Sequence, residues 1–162
     1  MNNKFKNITY VTVFYTVICL IGCSNIASTS IASNDTSVSD TLYSHFKELF
    51  HVGAAINEET ILGYDSQSEK IVTTEFNSIT PENSLKWMFI QPKPNEFNFS
   101  VADKYVQLGL DNNMHIVGHA LVWHSQLADF MQDIQNSAEM NAHVQNHVNT
   151  VVSRYKGKIN AW

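Results

Sequence analysis

The chain has 162 residues, of which 44% are hydrophobic and 15% charged, and its formal net charge is −5. This length is enough for one globular domain and too short for two. The negative charge and the lack of any Lys/Arg-rich run argue against nucleic acid as a partner. Cys19 and Cys23 lie only four positions apart, which excludes a disulfide framework.

The N-terminus has the pattern of a targeting segment. Lys4 and Lys6 precede an uncharged apolar stretch, residues 8–22, which is too short for a membrane span. The stretch ends in Leu-Ile-Gly-Cys23, which resembles the lipobox of bacterial lipoproteins, in which the cysteine is acylated and becomes the new N-terminus. The sequence therefore predicts a signal peptide over residues 1–22 and lipidation at Cys23. A plain secretory signal with a chance cysteine remains the alternative.

Residues 23–40 are predicted to form a flexible tether. They are mostly Ser, Thr, Asn and Ala with no periodic apolar face, so they cannot bury enough surface to offset the entropy of ordering. The folded domain is expected over residues 41–162. Signal, tether and domain together predict an exported protein held at the bacterial cell envelope or surface, or otherwise secreted, that meets a membrane only through its lipid anchor.

From Thr41 onward, helical and strand patterns alternate. Helices are predicted at 42–50, 66–74, from Ser100, and from about Ser137 to Gly157; strands are predicted at 51–56, 76–80, 115–123 and from Ile159. The strands are nearly continuous in apolar residues, which is typical of a parallel sheet covered by helices. We therefore predict an α/β fold, and specifically a partial (β/α)8 TIM barrel with about three βα units and the start of a fourth strand.

Polar side chains cluster where two of these strands end. Glu82, Asn83 and Lys86 follow the second strand, and His119, Trp123 and Gln126 lie at the end of the third. In parallel α/β folds, binding and catalytic residues lie at the carboxyl ends of the strands, because the loops there converge on a ligand. Sugars present hydroxyl groups and apolar C–H faces, so polar side chains beside an indole suit a sugar site.

Three segments carry a resemblance to a known family. FNSITPENSLKW, FNFSVADKYVQLGLDNNMHIVGHALVWHSQ and RYKGKINAW, in this order, resemble the N-terminal half of glycoside hydrolase family 10, the endo-1,4-β-xylanases. The resemblance implies a (β/α)8 barrel that hydrolyses xylan with retention, using two glutamates and no cofactor. It also implies that six residues bind xylan or xylo-oligosaccharides on the glycone side: Glu82, Asn83, Lys86, His119, Trp123 and Gln126.

The two catalytic glutamates of this family have no counterpart up to Trp162. In the family, the strand that starts like Ile159–Trp162 runs on into a segment that carries the acid/base, and the nucleophile comes much later. The resemblance thus implies a fragment that has no catalytic residue of its own and is inactive alone, with the missing C-terminal half of the barrel as a partner. A surface lipoprotein that binds glycan without cleaving it, or a remnant without hydrolytic activity, remains the alternative.

Simpler interpretations exist for several of these residues. Glu82 and Lys86, four positions apart, would by themselves suggest a surface ion pair. Trp87 is assigned to core packing. His143 and His147 share a helix face at metal-ligand spacing, but without a third ligand a solvated helix face is the preferred interpretation, and no metal site is predicted.

Overall fold

The computed structural model describes residues 40–162. The predicted signal peptide, Cys23 and nearly all of the tether lie outside the described residues. The elements in chain order are α1 (Leu42–Phe46), β1 (Gly53–Ile56), α2 (Glu58–Ile61), α3 (Ser66–Glu75), β2 (Ser78–Pro81), α4 (Trp87–Ile90), α5 (Ser100–Asp111), β3 (His115–Ile116), a 3-10 turn (Asp129–Met131) and α6 (Ser137–Tyr155).

The sheet is parallel, as the sequence predicts. Its strand order is β1-β2-β3, with Gly53 opposite Ser78 and Ser78 opposite His115. A parallel bridge joins Val117 to Ala161, where the backbone N–H of Gly118 donates to the carbonyl of Ala161 at 2.7 Å. The segment from Ile159 therefore lies beside β3, where the fourth strand of a barrel would begin.

The third strand is much shorter than predicted. The apolar run predicts a strand over 115–123, but β3 ends at Ile116, and the chain leaves the sheet after the bridge at Val117. The N–H of Val117 bonds to Ile79, and the next bond of the ladder would need an N–H that Pro81 lacks. The buried hydroxyl of Tyr105 lies 2.7 Å from the carbonyl of Val117 instead. Residues 118–126 therefore form a loop instead of a longer strand.

Helix α5 covers the inner sheet residues. Its buried face consists of Ala102, Tyr105, Val106 and Gly109, which recur at helical spacing. Gly109 lets the helix approach the sheet, since a Cβ there would lie 2.5 Å from a side-chain carbon of Ile116. The core of the described part forms where this helix meets Ile79 and Ile116, both fully buried.

Local signals set several helix ends. The side chain of Asn57 caps α2, that of Asp65 caps α3 and that of Asn136 caps α6. Gly157, at φ +75°, follows α6 in the left-handed conformation that suits a helix end. Among residues 40–162, no helix combines the length and the apolar character that crossing a bilayer requires.

Helix α1 is the weakest match to its pattern. The predicted helical run reaches residue 50, but α1 ends at Phe46. Leu49 and Phe50, which the spacing placed on a helix face, are 77% and 56% exposed. Phe50 stacks on Phe46 with ring centroids 5.1 Å apart, so this apolar pair packs locally.

Candidate functional site

The candidate residues lie at the carboxyl edge of the sheet. Strand β2 ends at Pro81, and the turn that follows carries Glu82, Asn83 and Lys86. The loop 118–126 begins just past β3 at the same edge. Because parallel strands end at a common edge, residues about 40 positions apart in sequence become neighbours.

A hydrogen-bonded triangle joins the two segments. The ammonium of Lys86 donates to Gln126 Oε1 at 2.5 Å and to Asn83 Oδ1 at 3.1 Å. Gln126 Nε2 donates to the same Asn83 oxygen at 3.2 Å. The three polar groups therefore hold one another in place, and the ammonium has a third donor left for a ligand.

Aromatic rings border this triangle. The Lys86 ammonium lies 4.8 Å from the centroid of the Trp123 ring, within cation–π distance. The ring centroid of His119 lies 6.1 Å from that of Trp123. The ring of His124 meets the Trp123 ring edge-to-face, with centroids 5.1 Å apart. His124 was not singled out from the sequence, although it follows Trp123 directly. The loop thus places an indole beside the charged and amide groups.

Glu82 is the exception among the six residues. Within residues 40–162 its carboxylate makes no hydrogen bond or ion pair, so the surface ion pair with Lys86 is not formed. The Lys86 ammonium binds Asn83 and Gln126 instead. Glu82 is exposed and lines a cavity of about 200 Å³ together with residues of β1, α2 and α3. The structure therefore joins five of the six residues by direct contacts and leaves Glu82 beside them.

The backbone of Gln126 is held in an unusual conformation. Its φ is +54°, in the left-handed region that residues with a Cβ seldom adopt. Its carbonyl accepts a hydrogen bond from the N–H of Met88 in α4 at 3.2 Å. This bond ties the end of the loop to the helix that begins right after Lys86.

A buried layer supports the site from below. Trp87 is 2% exposed, which confirms its assignment to the core. Its ring stacks on His147 of α6, and His147 Nδ1 lies 3.0 Å from Gln91 Oε1. The expectation of a solvated face is therefore wrong for His147, which is fully buried, and burial lowers the pKa of its imidazole to about 4.

The burial of His147 had a signal in the sequence. Position 147 is three residues after Val144 and four before Val151, so it lies on the apolar stripe of α6. His143 takes a different environment, with its ring against the edge of Phe130 at 5.3 Å. The two histidines therefore serve separate packing contacts, and among residues 40–162 no three metal-ligating side chains lie together.

The arrangement offers an ammonium, two amides and an indole at the end of a parallel sheet. Such a set can hold a neutral polyhydroxylated ligand by hydrogen bonds and by contact with the ring face. Fold and site together define an α/β protein with a carbohydrate-type site at its carboxyl edge. The family model of Glycosyl hydrolase family 10 matches residues 41–162, and the chain belongs to this family.

Characterised relatives point the same way. The chain is 38% identical to a β-1,4-xylanase of Dictyoglomus thermophilum over 117 residues, which are 72% of this chain and 32% of the relative. It is 40% identical to endo-1,4-β-xylanase B of Humicola insolens over 99 residues, 60% of this chain and 28% of the relative. The chain thus spans about a third of the length of these relatives.

Solved structures agree on the fold. A family 10 endoxylanase from a sugarcane soil metagenome superposes with a TM-score of 0.71 at 34% identity, over 75% of this chain and 38% of the other. Xylanase 10B of Thermotoga petrophila, solved in complex with xylobiose, gives 0.69 at 33% identity, over 74% and 37%. The family fold is a (β/α)8 barrel, and three parallel strands with a bridge to a fourth are consistent with part of one.

Proposed function

We propose that these residues form the glycone-side substrate-binding part of an endo-1,4-β-xylanase, which hydrolyses internal β-1,4-xylosidic bonds of xylan with retention. The observation that carries the proposal is the contact of Lys86 with Asn83, Gln126 and Trp123 across two strand ends. Family membership and the xylanase relatives support it.

Each residue has a role in this proposal that follows from its chemistry. Lys86 donates to sugar hydroxyls, since one of its three N–H groups is free in the triangle. Trp123 packs against the C–H face of a xylose ring, and His119 borders it. Asn83 and Gln126 supply amide groups, and the free carboxylate of Glu82 accepts from hydroxyls.

The cleavage step requires residues beyond this set. Retaining glycosidases use two carboxyl groups about 5–5.5 Å apart, one as nucleophile and one as acid/base. In the described part, Glu82 is the only carboxylate among the six candidate residues. The proposal takes both catalytic glutamates from sequence that follows Trp162, so that residues 41–162 hold the sugar and the rest of the barrel cleaves it.

Hydrolysis by a completed barrel tests the assignment. The chain is joined after Trp162 to the C-terminal part of the Dictyoglomus thermophilum xylanase, and Lys86→Ala and Trp123→Ala are compared with Lys104→Ala. Lys104 is an exposed lysine on α5, away from the site. Each site variant should lower kcat/KM on xylo-oligosaccharides tenfold or more, about 1.4 kcal/mol, while the control does not. Unchanged kinetics in both site variants would contradict the assignment.

The 162-residue chain alone provides a second test. It should release no reducing sugar from xylan above a no-enzyme control, because the proposal places both catalytic groups elsewhere. Adding the C-terminal half of the barrel in trans should restore release. Xylan cleavage by the chain alone would overturn this part of the proposal.

We also propose that the protein is lipidated at Cys23 and held at the bacterial cell envelope. The charged start, the apolar stretch and the Leu-Ile-Gly-Cys ending support this proposal. Mass spectrometry of the mature N-terminus should find an acylated Cys23, and Cys23→Ala should abolish the modification. An unmodified N-terminus upstream or downstream of Cys23 would rule it out.

A further inference from the structure

A buried tyrosine of α5 contacts both strand ends that lead into the candidate site. Tyr105 is fully buried, and its hydroxyl lies 2.8 Å from the carbonyl oxygen of Ile79 in β2 and 2.7 Å from that of Val117, just past β3. Burial raises the pKa of the phenol, so the hydroxyl keeps its proton and donates to these carbonyls. One side chain of the covering helix thus bonds to two neighbouring segments of the sheet.

The hydroxyl takes the place of a missing backbone donor. The N–H of Val117 donates to the carbonyl of Ile79 at 3.0 Å, and the next bond of the parallel ladder would run from residue 81, a proline, to the carbonyl of Val117. A carbonyl without a donor inside a protein is costly. Among residues 40–162, the hydroxyl of Tyr105 is the one donor that the Val117 carbonyl has.

The two bonded carbonyls lie directly ahead of the site segments. Ile79 is near the end of β2, just before the turn that carries Lys86, and Val117 precedes the loop that carries Gln126. The Lys86 ammonium reaches Gln126 Oε1 at 2.5 Å, and this bond requires the two segments to keep their spacing. A hydroxyl that is bonded to both strand ends fixes that spacing from the helix side of the sheet.

We propose that Tyr105 is a positioning residue for xylan binding: its hydroxyl holds the end of β2 against Val117, at the spacing that lets the Lys86 turn and the loop 118–126 contact one sugar chain. Tyr105 itself does not touch the substrate, because it is fully buried in the contact between α5 and the sheet. This inference rests on the proposed xylan-binding function and assigns to it a residue outside the site. Removal of the phenolic oxygen should therefore weaken binding, although every group that contacts the sugar is still present.

Two conservative variants separate positioning from stability. Tyr105→Phe keeps the buried ring and removes only the hydroxyl. Tyr155→Phe is the matched control, since Tyr155 is 2% exposed and its hydroxyl donates at 3.0 Å to Asp103, in the contact between α5 and α6. Each variant loses the hydrogen bonds of one tyrosine, so both should lower the urea midpoint of the full chain. Only Tyr105→Phe should also change ligand binding.

Binding is measured by calorimetric titration of the full chain with xylotriose. Tyr105→Phe should lower the affinity about fivefold, and Tyr155→Phe should leave it unchanged. Equal affinities of the wild type and Tyr105→Phe, or an equal loss in both variants, would overturn the inference alone. Failure of the wild type to bind xylotriose would overturn the proposed function, and the inference with it.

A change at Pro81 tests the cause of the effect. Pro81→Ala gives residue 81 a backbone N–H, which is the donor that the ladder would need for the Val117 carbonyl. In the Tyr105→Phe background, Pro81→Ala should therefore recover part of the lost affinity for xylotriose. A double variant that binds no better than Tyr105→Phe would show that the hydroxyl does not act by holding this carbonyl, and would overturn the inference.

Discussion

The imidazole of His147 lies parallel to the indole of Trp87, with ring centroids 3.9 Å apart and planes 8° apart. Trp87 directly follows Lys86, so the stack fixes the base of the helix turn from which the ammonium projects. A histidine of α6, 60 positions later in the sequence, thereby supports the β2 side of the site.

The buried position of His147 predicts a loss of stability in acid. Burial lowers its folded-state pKa to about 4, against an ordinary value of 6.5. As the pH falls, the imidazole therefore takes up its proton in the unfolded chain before it does so in the folded one. The contribution of His147 to the free energy of unfolding is full above pH 6.5 and is lost as the pH falls towards 4. The loss is about 3 kcal/mol when complete.

A variant without a titrating group isolates this effect. His147→Phe keeps a flat ring on Trp87 but cannot bind a proton. Urea unfolding of the wild type and the variant from pH 7.5 to 4.5 should therefore show that the free energy of unfolding falls more in the wild type as the pH is lowered. Curves that stay parallel over this range would mean that the proton uptake occurs elsewhere.

The ion pair between Asp103 of α5 and Arg154 of α6 is predicted to make a small contribution to stability. The guanidinium donates to both carboxylate oxygens, at 2.8 and 2.5 Å, and the Tyr155 hydroxyl donates to Asp103 at 3.0 Å. These bonds, led by those from Arg154, hold the pKa of Asp103 below its usual range. Because the pair is about 44% exposed, a double-mutant cycle with Asp103→Asn and Arg154→Gln should give a coupling of about 0.5–1 kcal/mol at pH 7.

The pH dependence of that coupling has a fixed sign. An acid whose folded-state pKa is lowered contributes fully above its unfolded value and less as the pH falls through its folded value. The coupling should therefore be present at pH 7 and decline below about pH 4. A coupling that is unchanged at pH 2.5 would show that the carboxylate charge is not its source.

The left-handed backbone of Gln126 predicts a difference between two truncations. Gln126→Ala and Gln126→Gly both remove the hydrogen bond to Lys86, but only glycine adopts a φ of +54° without steric cost. Thermal or urea unfolding should find the glycine variant more stable than the alanine variant by about 1 kcal/mol. If alanine proves equally stable, the loop has another conformation in solution.

Gly109 is predicted to tolerate no larger residue, although it lies inside a helix where alanine is usually preferred. An added Cβ would lie 2.5 and 2.6 Å from two carbons of Ile116 and 3.1 Å from Ile79. Gly109→Ala should therefore destabilise the protein by about 1–3 kcal/mol. Adding Ile116→Val, which removes one of the crowded carbons, should recover part of that loss; a stabilising Gly109→Ala would contradict the close packing.

Several features follow from the sequence because they depend on local chemistry. Helix α5 starts at Ser100, where the sequence predicts a helix, and its buried residues recur at the spacing of one helix face. The parallel order of the strands follows from apolar strands separated by helices. The two polar segments were also recognisable, because each comes directly after a strand.

Other features were settled only by tertiary contacts. The third strand ends early because Pro81, on the neighbouring strand, lacks the N–H that would continue the ladder, and Tyr105 takes the free carbonyl. The Glu82–Lys86 spacing permits an ion pair, but Gln126, 40 positions away, binds the ammonium instead. His147 is buried because Trp87 provides a stacking surface and Gln91 a hydrogen bond, and these residues lie in α4 and directly after it, more than 50 positions earlier in the sequence. In each case the deciding partner is remote in sequence, and spacing along one element carries no information about it.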